Sequence, residues 1–135
     1  MFLRKYHDLK PFVTKDKSII REFFHPLHET SKETPRNITF SIALATVKPG
    51  KRTLRHIHRT FAEFYYITKG TGIIRLDSRK ESIEENTLIY IPAGTKHTVT
   101  NTGIEDLNIL CICTPPYTHE DTKIIDENLR EAKLS

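Results

Sequence analysis

From Ile38 the chain begins to alternate. Through Ile38-Thr39-Phe40-Ser41-Ile42-Ala43-Leu44-Ala45-Thr46-Val47, large apolar side chains are interleaved with small or polar ones, the pattern of a strand with one buried face. Lys48-Pro49-Gly50 then turns the chain. Further strand patterns run from Thr53 to His58, Phe61 to Thr68, Ile73 to Leu76, Thr87 to Ile91, His97 to Thr100 and Leu107 to Thr114. Between them stand Lys69-Gly70-Thr71-Gly72, Pro92-Ala93-Gly94 and Asn101-Thr102-Gly103, all turn chemistry. Arg79 to Glu85 reads as charged and exposed around Ile83. Before the alternation, Ser18 to Phe24 forms a short strand that His25-Pro26 ends, because Pro26 has no amide donor. After it, Thr118 to Leu129 is expected to hold a short helix capped by Thr118. Short strands at regular spacing predict an all-β sandwich or barrel.

Bulk properties narrow the classes. A chain of 135 residues is expected to be one domain, with 1–37 an N-terminal extension, 38–114 the barrel core and 115–135 a C-terminal segment. No apolar run approaches the ~20 residues of a membrane span, and the charged N-terminus lacks the apolar core of a signal peptide, so a cytoplasmic protein without membrane contact is expected. The net charge of +4 is spread along the chain with no basic stripe, which argues against nucleic acid as a partner. Cys111 and Cys113 share one face of a strand, at the far limit for a disulfide, and read as free buried thiols. His25 and His28 read as loop histidines near the surface.

The chemistry centres on His56 and His58. In an extended segment they project from the same face, with Cα atoms ~6.6 Å apart, close enough to converge on one ion. Glu63 follows in the next apolar run. Gly50, five residues, His56, one residue, His58, four residues, Glu63, six residues, Gly70 resembles the first motif of the cupin superfamily. Pro92-Ala93-Gly94, two residues, His97, three residues, Asn101 resembles the second. The departure is Asn86, where the family has glycine; asparagine is the next most tolerant residue at positive φ. The end of the last strand, LCICTPPYTHEDT, also looks like that of small single-domain cupins.

The resemblance implies a double-stranded β-helix, a jelly-roll barrel, with a divalent metal held by His56, His58, Glu63 and His97. Three imidazoles and a carboxylate suit first-row divalent ions; the resemblance implies iron or manganese foremost, with nickel, cobalt or zinc also compatible. Four protein ligands on an octahedral ion leave two positions for a substrate or dioxygen. Because ligation needs neutral imidazoles, the ion is expected to leave below about pH 6.5.

By alternation from Glu63, Tyr65 and Ile67 point into the barrel and Phe64 and Tyr66 point away; from His97, Val99 and Asn101 point inward. Tyr65 is thus the candidate substrate-contacting or catalytic residue, with aromatic core packing as the alternative. Arg55 and Arg59, of opposite parity to the histidines, are expected to face solvent or a neighbouring subunit. Tyr117, after two prolines, closes the barrel mouth or covers its edge. The expected function is a metal-dependent oxidoreductase, dioxygenase-like, acting on a small oxygen-bearing substrate. The alternatives are a non-redox isomerase or decarboxylase, and a non-catalytic metal-dependent binding protein. An outward apolar face of Ile57, Phe64 and Tyr66, with the Ile19 to Phe24 strand, suggests a homodimer.

Overall fold

The alternating segments pair into two antiparallel sheets that face each other as a double-stranded β-helix, in a computed structural model that describes residues 1–126. The strands are β1 (Phe12–Val13), β2 (Ile19–Phe24), β3 (Ser41–Val47), β4 (His56–His58), β5 (Ala62–Lys69), β6 (Gly72–Leu76), β7 (Arg79–Ile83), β8 (Leu88–Ile91), β9 (His97–Asn101), β10 (Leu107–Thr114) and β11 (Thr122–Ile124). One sheet runs β1-β2-β3-β10-β5-β8, and the other β11-β4-β9-β6-β7. The sole helical element among the described residues is a single 3-10 turn at Tyr6–Asp8, so no helix is long and apolar enough to cross a membrane.

Register sets the interior row by row. Glu63 pairs with Cys113, which pairs with Ser41; Tyr65 pairs with Cys111, which pairs with Ala43; Ile67 pairs with Ile109, which pairs with Ala45. The third of these rows joins Ile74, Ile83, Ile91, Val99 and Leu107 in a dry core at one end of the barrel. The first row is smaller and more polar and faces the histidines at the other end, while the second bridges the two: Tyr65 belongs to the core cluster, Cys111 packs against it, and both also line the chamber. Packing therefore divides the barrel into an apolar base and a polar chamber.

The inward face of β3 is the small one. Ser41, Ala43 and Ala45 line the chamber, whereas the larger Ile42 and Leu44 lie on the opposite face of the strand. The alternation was legible in the sequence, but it carries no sign of which face is inside.

Turn positions follow the expected chemistry. Asn86 has φ 64°, the left-handed conformation that glycine otherwise supplies, and its side-chain oxygen accepts from the Tyr66 hydroxyl at 2.8 Å. At Gly72 a Cβ would stand 2.4 Å from the Thr100 carbonyl oxygen, so β6 and β9 approach too closely there for any side chain.

Four expectations need correcting. The segment from Thr118 to Asp126 is not helical: Thr122–Ile124 is strand β11, antiparallel to β4, because its backbone groups find partners on that edge. Positions 127–129 of the expected helix lie outside the described residues. Arg79–Ile83 is a strand too, paired along its whole length with β6, its charged side chains exposed and Ile83 buried in the core. Only His56–His58 of the Thr53 to His58 run is strand; Thr53 instead exchanges single bonds with Val99. The proposed outward face is not continuous: Ile57 belongs to the second sheet, and β3 and β10 separate β2 from β5.

Candidate metal centre

Two short strands carry the histidines. His56 and His58 project inward from β4, and antiparallel pairing puts His97 of β9 directly opposite His56. All three rings are buried, at 2%, 4% and 1% exposure. Ring centroids lie 4.0 Å apart for His56 and His97, 4.9 Å for His56 and His58, and 5.1 Å for His58 and His97. One ring nitrogen from each lies within 4.8 Å of the other two.

The orientation of each ring is set from behind. His56 Nδ1 bonds the Leu54 carbonyl at 2.7 Å, His97 Nδ1 the Thr95 carbonyl at 3.0 Å, and His58 Nδ1 the Thr122 hydroxyl at 2.9 Å. A carbonyl can only accept, so His56 and His97 carry hydrogen on Nδ1 and turn Nε2 inward as a lone-pair donor, the tautomer that metal-ligating histidines take. Glu63, from β5 on the facing sheet, sets Oε1 2.7 Å from His58 Nε2. Its other oxygen, Oε2, and His97 Nε2 are buried without any hydrogen-bond partner. The cluster whose donor atoms lie within 4.8 Å of one another is the three histidines, with Glu63 joined to it through His58. Two unpartnered buried polar atoms, one in that cluster and one on its carboxylate neighbour, are costly unless a further group satisfies them. A divalent ion fits that requirement, and His56, His58, His97 and Glu63 could hold it.

Charge at the site follows from this crowding. Burial pushes the Glu63 carboxyl up, but the hydrogen bond from His58 and the three imidazoles outweigh it and hold it at about 2. Burial, with His56 adding to it, lowers His97 to about 4. Burial first, and Glu63 second, raise Tyr65 well above the usual phenol range, so its hydroxyl stays protonated. Burial likewise drives Cys111 and Cys113 up, and they line the chamber as thiols rather than as thiolate ligands. Cys113 Sγ donates weakly to Glu63 Oε1 at 3.6 Å.

Other expected residues fall as follows. Tyr65 lines the chamber, its ring edge-on to His97 at 6.2 Å. Tyr117 also lines it, at 5.5 Å from Phe61 and 6.0 Å from His58. Val99 is core, and Asn101 locks a turn by donating to the Val47 and Glu105 carbonyls at 2.8 Å each. Arg59 is exposed, while Arg55 is half-buried and donates to the Asp77 carbonyl. His25 is not at the surface: it is 2% exposed and its Nε2 bonds the Tyr117 carbonyl at 2.7 Å, anchoring that segment. His28 stacks on His25 and bonds Glu22, so neither joins the centre.

Three residues of the site escaped the sequence reading. Phe61 stacks on His58 at 4.2 Å, Thr122 holds the His58 ring, and Asp16 sets Oδ2 3.4 Å from His56 Nε2. The Thr14-x-Asp16-x-Ser18 turn pattern was visible, but its delivery to β4 depends on how the hairpin folds over.

The cupin domain model matches residues 43–113. An uncharacterized protein of Methanocaldococcus jannaschii is 43% identical over 122 residues, 90% of this chain and 93% of its own. A mannose-1-phosphate guanylyltransferase of Escherichia coli is 32% identical over 103 residues, 75% of this chain but 21% of the enzyme, so the similarity spans about a fifth of that relative. The cupin 2 conserved barrel domain protein from Salinispora arenicola superposes with a TM-score of 0.67 at 17% identity, over 84% of this chain and 88% of that one, and shares the fold.

Proposed function

The chain belongs to the cupin family, and on that footing we propose that it is a metal-dependent enzyme acting on a small oxygen-bearing molecule. Its ion would be held by His56, His58, Glu63 and His97. One observation carries the reading: three imidazoles converge with their far nitrogens already bonded, His97 Nε2 is buried there without a partner, and so is Oε2 of Glu63, the carboxylate bonded to His58. When bound, such an ion supplies Lewis-acid or redox chemistry. The chain's own part is to hold the donors rigidly, exclude water with Phe61 and Tyr117, and offer the protonated Tyr65 hydroxyl as a donor beside Glu63. A dioxygenase-like reaction is the first reading. Metal analysis of tag-free protein purified without chelators, followed by oxygen-electrode assays with diols and diketones, tests it. Zinc with no exchangeable ligand position, or no oxygen uptake by iron- or manganese-loaded protein with any of them, counts against it.

A second reading is non-redox work, for which the likeness to part of the mannose-1-phosphate guanylyltransferases suggests a sugar-derived substrate. It predicts isomerisation or decarboxylation without oxygen uptake. A homodimer is also proposed, through the outer face where Phe64 pairs with Tyr90 and Tyr66 with Leu88, all four side chains exposed.

A further inference from the structure

Asp16 stands outside the four-residue set yet faces the same chamber. The turn between β1 and β2 carries it there, and that turn is tied down on several sides. The Asp16 carbonyl accepts from the Leu54 amide at 2.7 Å, two residues before His56. Lys15 Nζ spends itself on the carbonyls of His119 and Thr122 at 2.9 and 2.8 Å, fastening the turn to the β11 edge. Asp16 Oδ1 takes three donors, the Thr14 hydroxyl at 2.7 Å, the Ser18 hydroxyl at 2.7 Å and the Ser18 amide at 2.9 Å. With Oδ1 saturated the carboxylate has one orientation, and Oδ2 lies 3.4 Å from His56 Nε2.

The rest of the lining is as telling. Among the described residues no lysine or arginine borders the chamber, while Glu22 and Glu63 add further carboxylates. Recognition of a phosphate or carboxylate is the work of arginine and lysine. An anionic substrate here would be desolvated beside two buried acids with nothing to pair with except the ion. Two carboxylates already offset both charges of a divalent ion, so the loaded centre has no net attraction for an anion. Hydroxyls of Ser18, Ser41 and Thr122, with apolar Phe12 and Ile20, complete a wall suited to a neutral, partly apolar molecule.

We infer that the centre takes an uncharged hydroxyl-bearing ligand, a vicinal diol or hydroxyketone, and that Asp16 Oδ2 accepts the hydrogen of one of its hydroxyls. This rests on the four-residue metal site proposed above. It assigns the N-terminal hairpin, outside the matched residues 43–113, a direct role in ligand choice.

The test separates the two readings. Equilibrium dialysis of Mn(II) against wild type and Asp16→Asn asks whether the ion binds and whether Asp16 holds it. Calorimetric titration of the Mn(II)-loaded proteins then compares catechol and hydroxyacetone with glycolate and glycerol 3-phosphate, with water-proton relaxation as a second readout. The expected result is Mn(II) still bound at full occupancy, though less tightly because a neighbouring negative charge is gone, preference for the uncharged probes at saturating Mn(II), and about tenfold or greater weakening of them in Asp16→Asn. Asp16→Ser, which removes the acid without adding amide hydrogens, should weaken them equally. Charged probes binding as tightly as uncharged ones, an Asp16→Asn variant with undiminished ligand affinity, or loss of the ion from that variant would each overturn the inference. So would failure of the uncharged probes to bind loaded protein. Failure of wild type to bind Mn(II) instead removes the metal reading beneath it.

Discussion

Replacing His58 by alanine asks the most of the proposed centre, because His58 has separable roles with and without an ion. In the metal-free chain it bonds Glu63 Oε1 at 2.7 Å and Thr122 Oγ1 at 2.9 Å, and stacks on Phe61 at 4.2 Å. Removing it leaves Glu63 buried, charged and without its strongest partner, a change worth about 3–5 kcal/mol. For a chain of 135 residues each kcal/mol moves Tm by about 3–5 °C, so the variant should melt roughly 10–20 °C lower in chelator. Adding Mn(II) at about 100 times its dissociation constant should stabilise wild type by a further ~2.7 kcal/mol, near 10 °C, and the variant scarcely at all. Thermal unfolding followed by circular dichroism, in chelator and in Mn(II), measures both gaps, and metal analysis gives occupancy. His58→Gln keeps a donor within reach of Glu63 and repeats the comparison in a more stable background. If the gap is the same with and without the ion, or the variant keeps full occupancy, His58 is a structural partner of Glu63 and the ligand set is wrong.

The remaining predictions are independent of that variant. His97 lies at about 4 in the folded metal-free chain against an ordinary value of 6.5, so between those values the unfolded chain takes up a proton that the folded one refuses. Its contribution is complete above pH 6.5 and is lost on acidification toward pH 4, by about 3 kcal/mol, visible as a urea midpoint that falls less steeply in His97→Gln. Gly72→Ala, whose methyl would meet the Thr100 carbonyl oxygen at 2.4 Å, should cost about 2–3 kcal/mol by chemical denaturation, and a neutral result would show that β6 and β9 can part. Light scattering should give a dimer mass for wild type and a monomer for Phe64→Asp; a monomeric wild type at high concentration removes the proposed interface.

Much of the candidate site was legible because its parts are locally encoded. His56 and His58 share a face by the two-residue period of a strand, and Glu63 and Tyr65 point inward by the same rule, so each needed only its neighbours in sequence. Positive φ at Gly50, Gly70, Gly94 and Asn86 is likewise a local demand that restricts the residue type. His97 lies further along the chain, but the second motif marked it. Asp16, Phe61 and Thr122 had no such mark: a carboxylate in a hairpin turn or a threonine on a short edge strand looks the same in solvent as in a chamber.

By itself, then, the sequence determined the alternation, the turns and the all-β class, and it singled out the three histidines and the glutamate as candidate ligands. Tertiary structure decided which side of that alternation became the inside. Alternation specifies two faces but not their environment, and β3 turns its small residues to the chamber because the histidines of the facing sheet need the volume. It also decided the terminal strand: Thr122–Ile124 gains ladder partners on β4 that outweigh any local preference for a helical turn. And it brought Asp16 to His56, since contact between residues forty positions apart depends on register and packing across the barrel, which no pattern of near neighbours records.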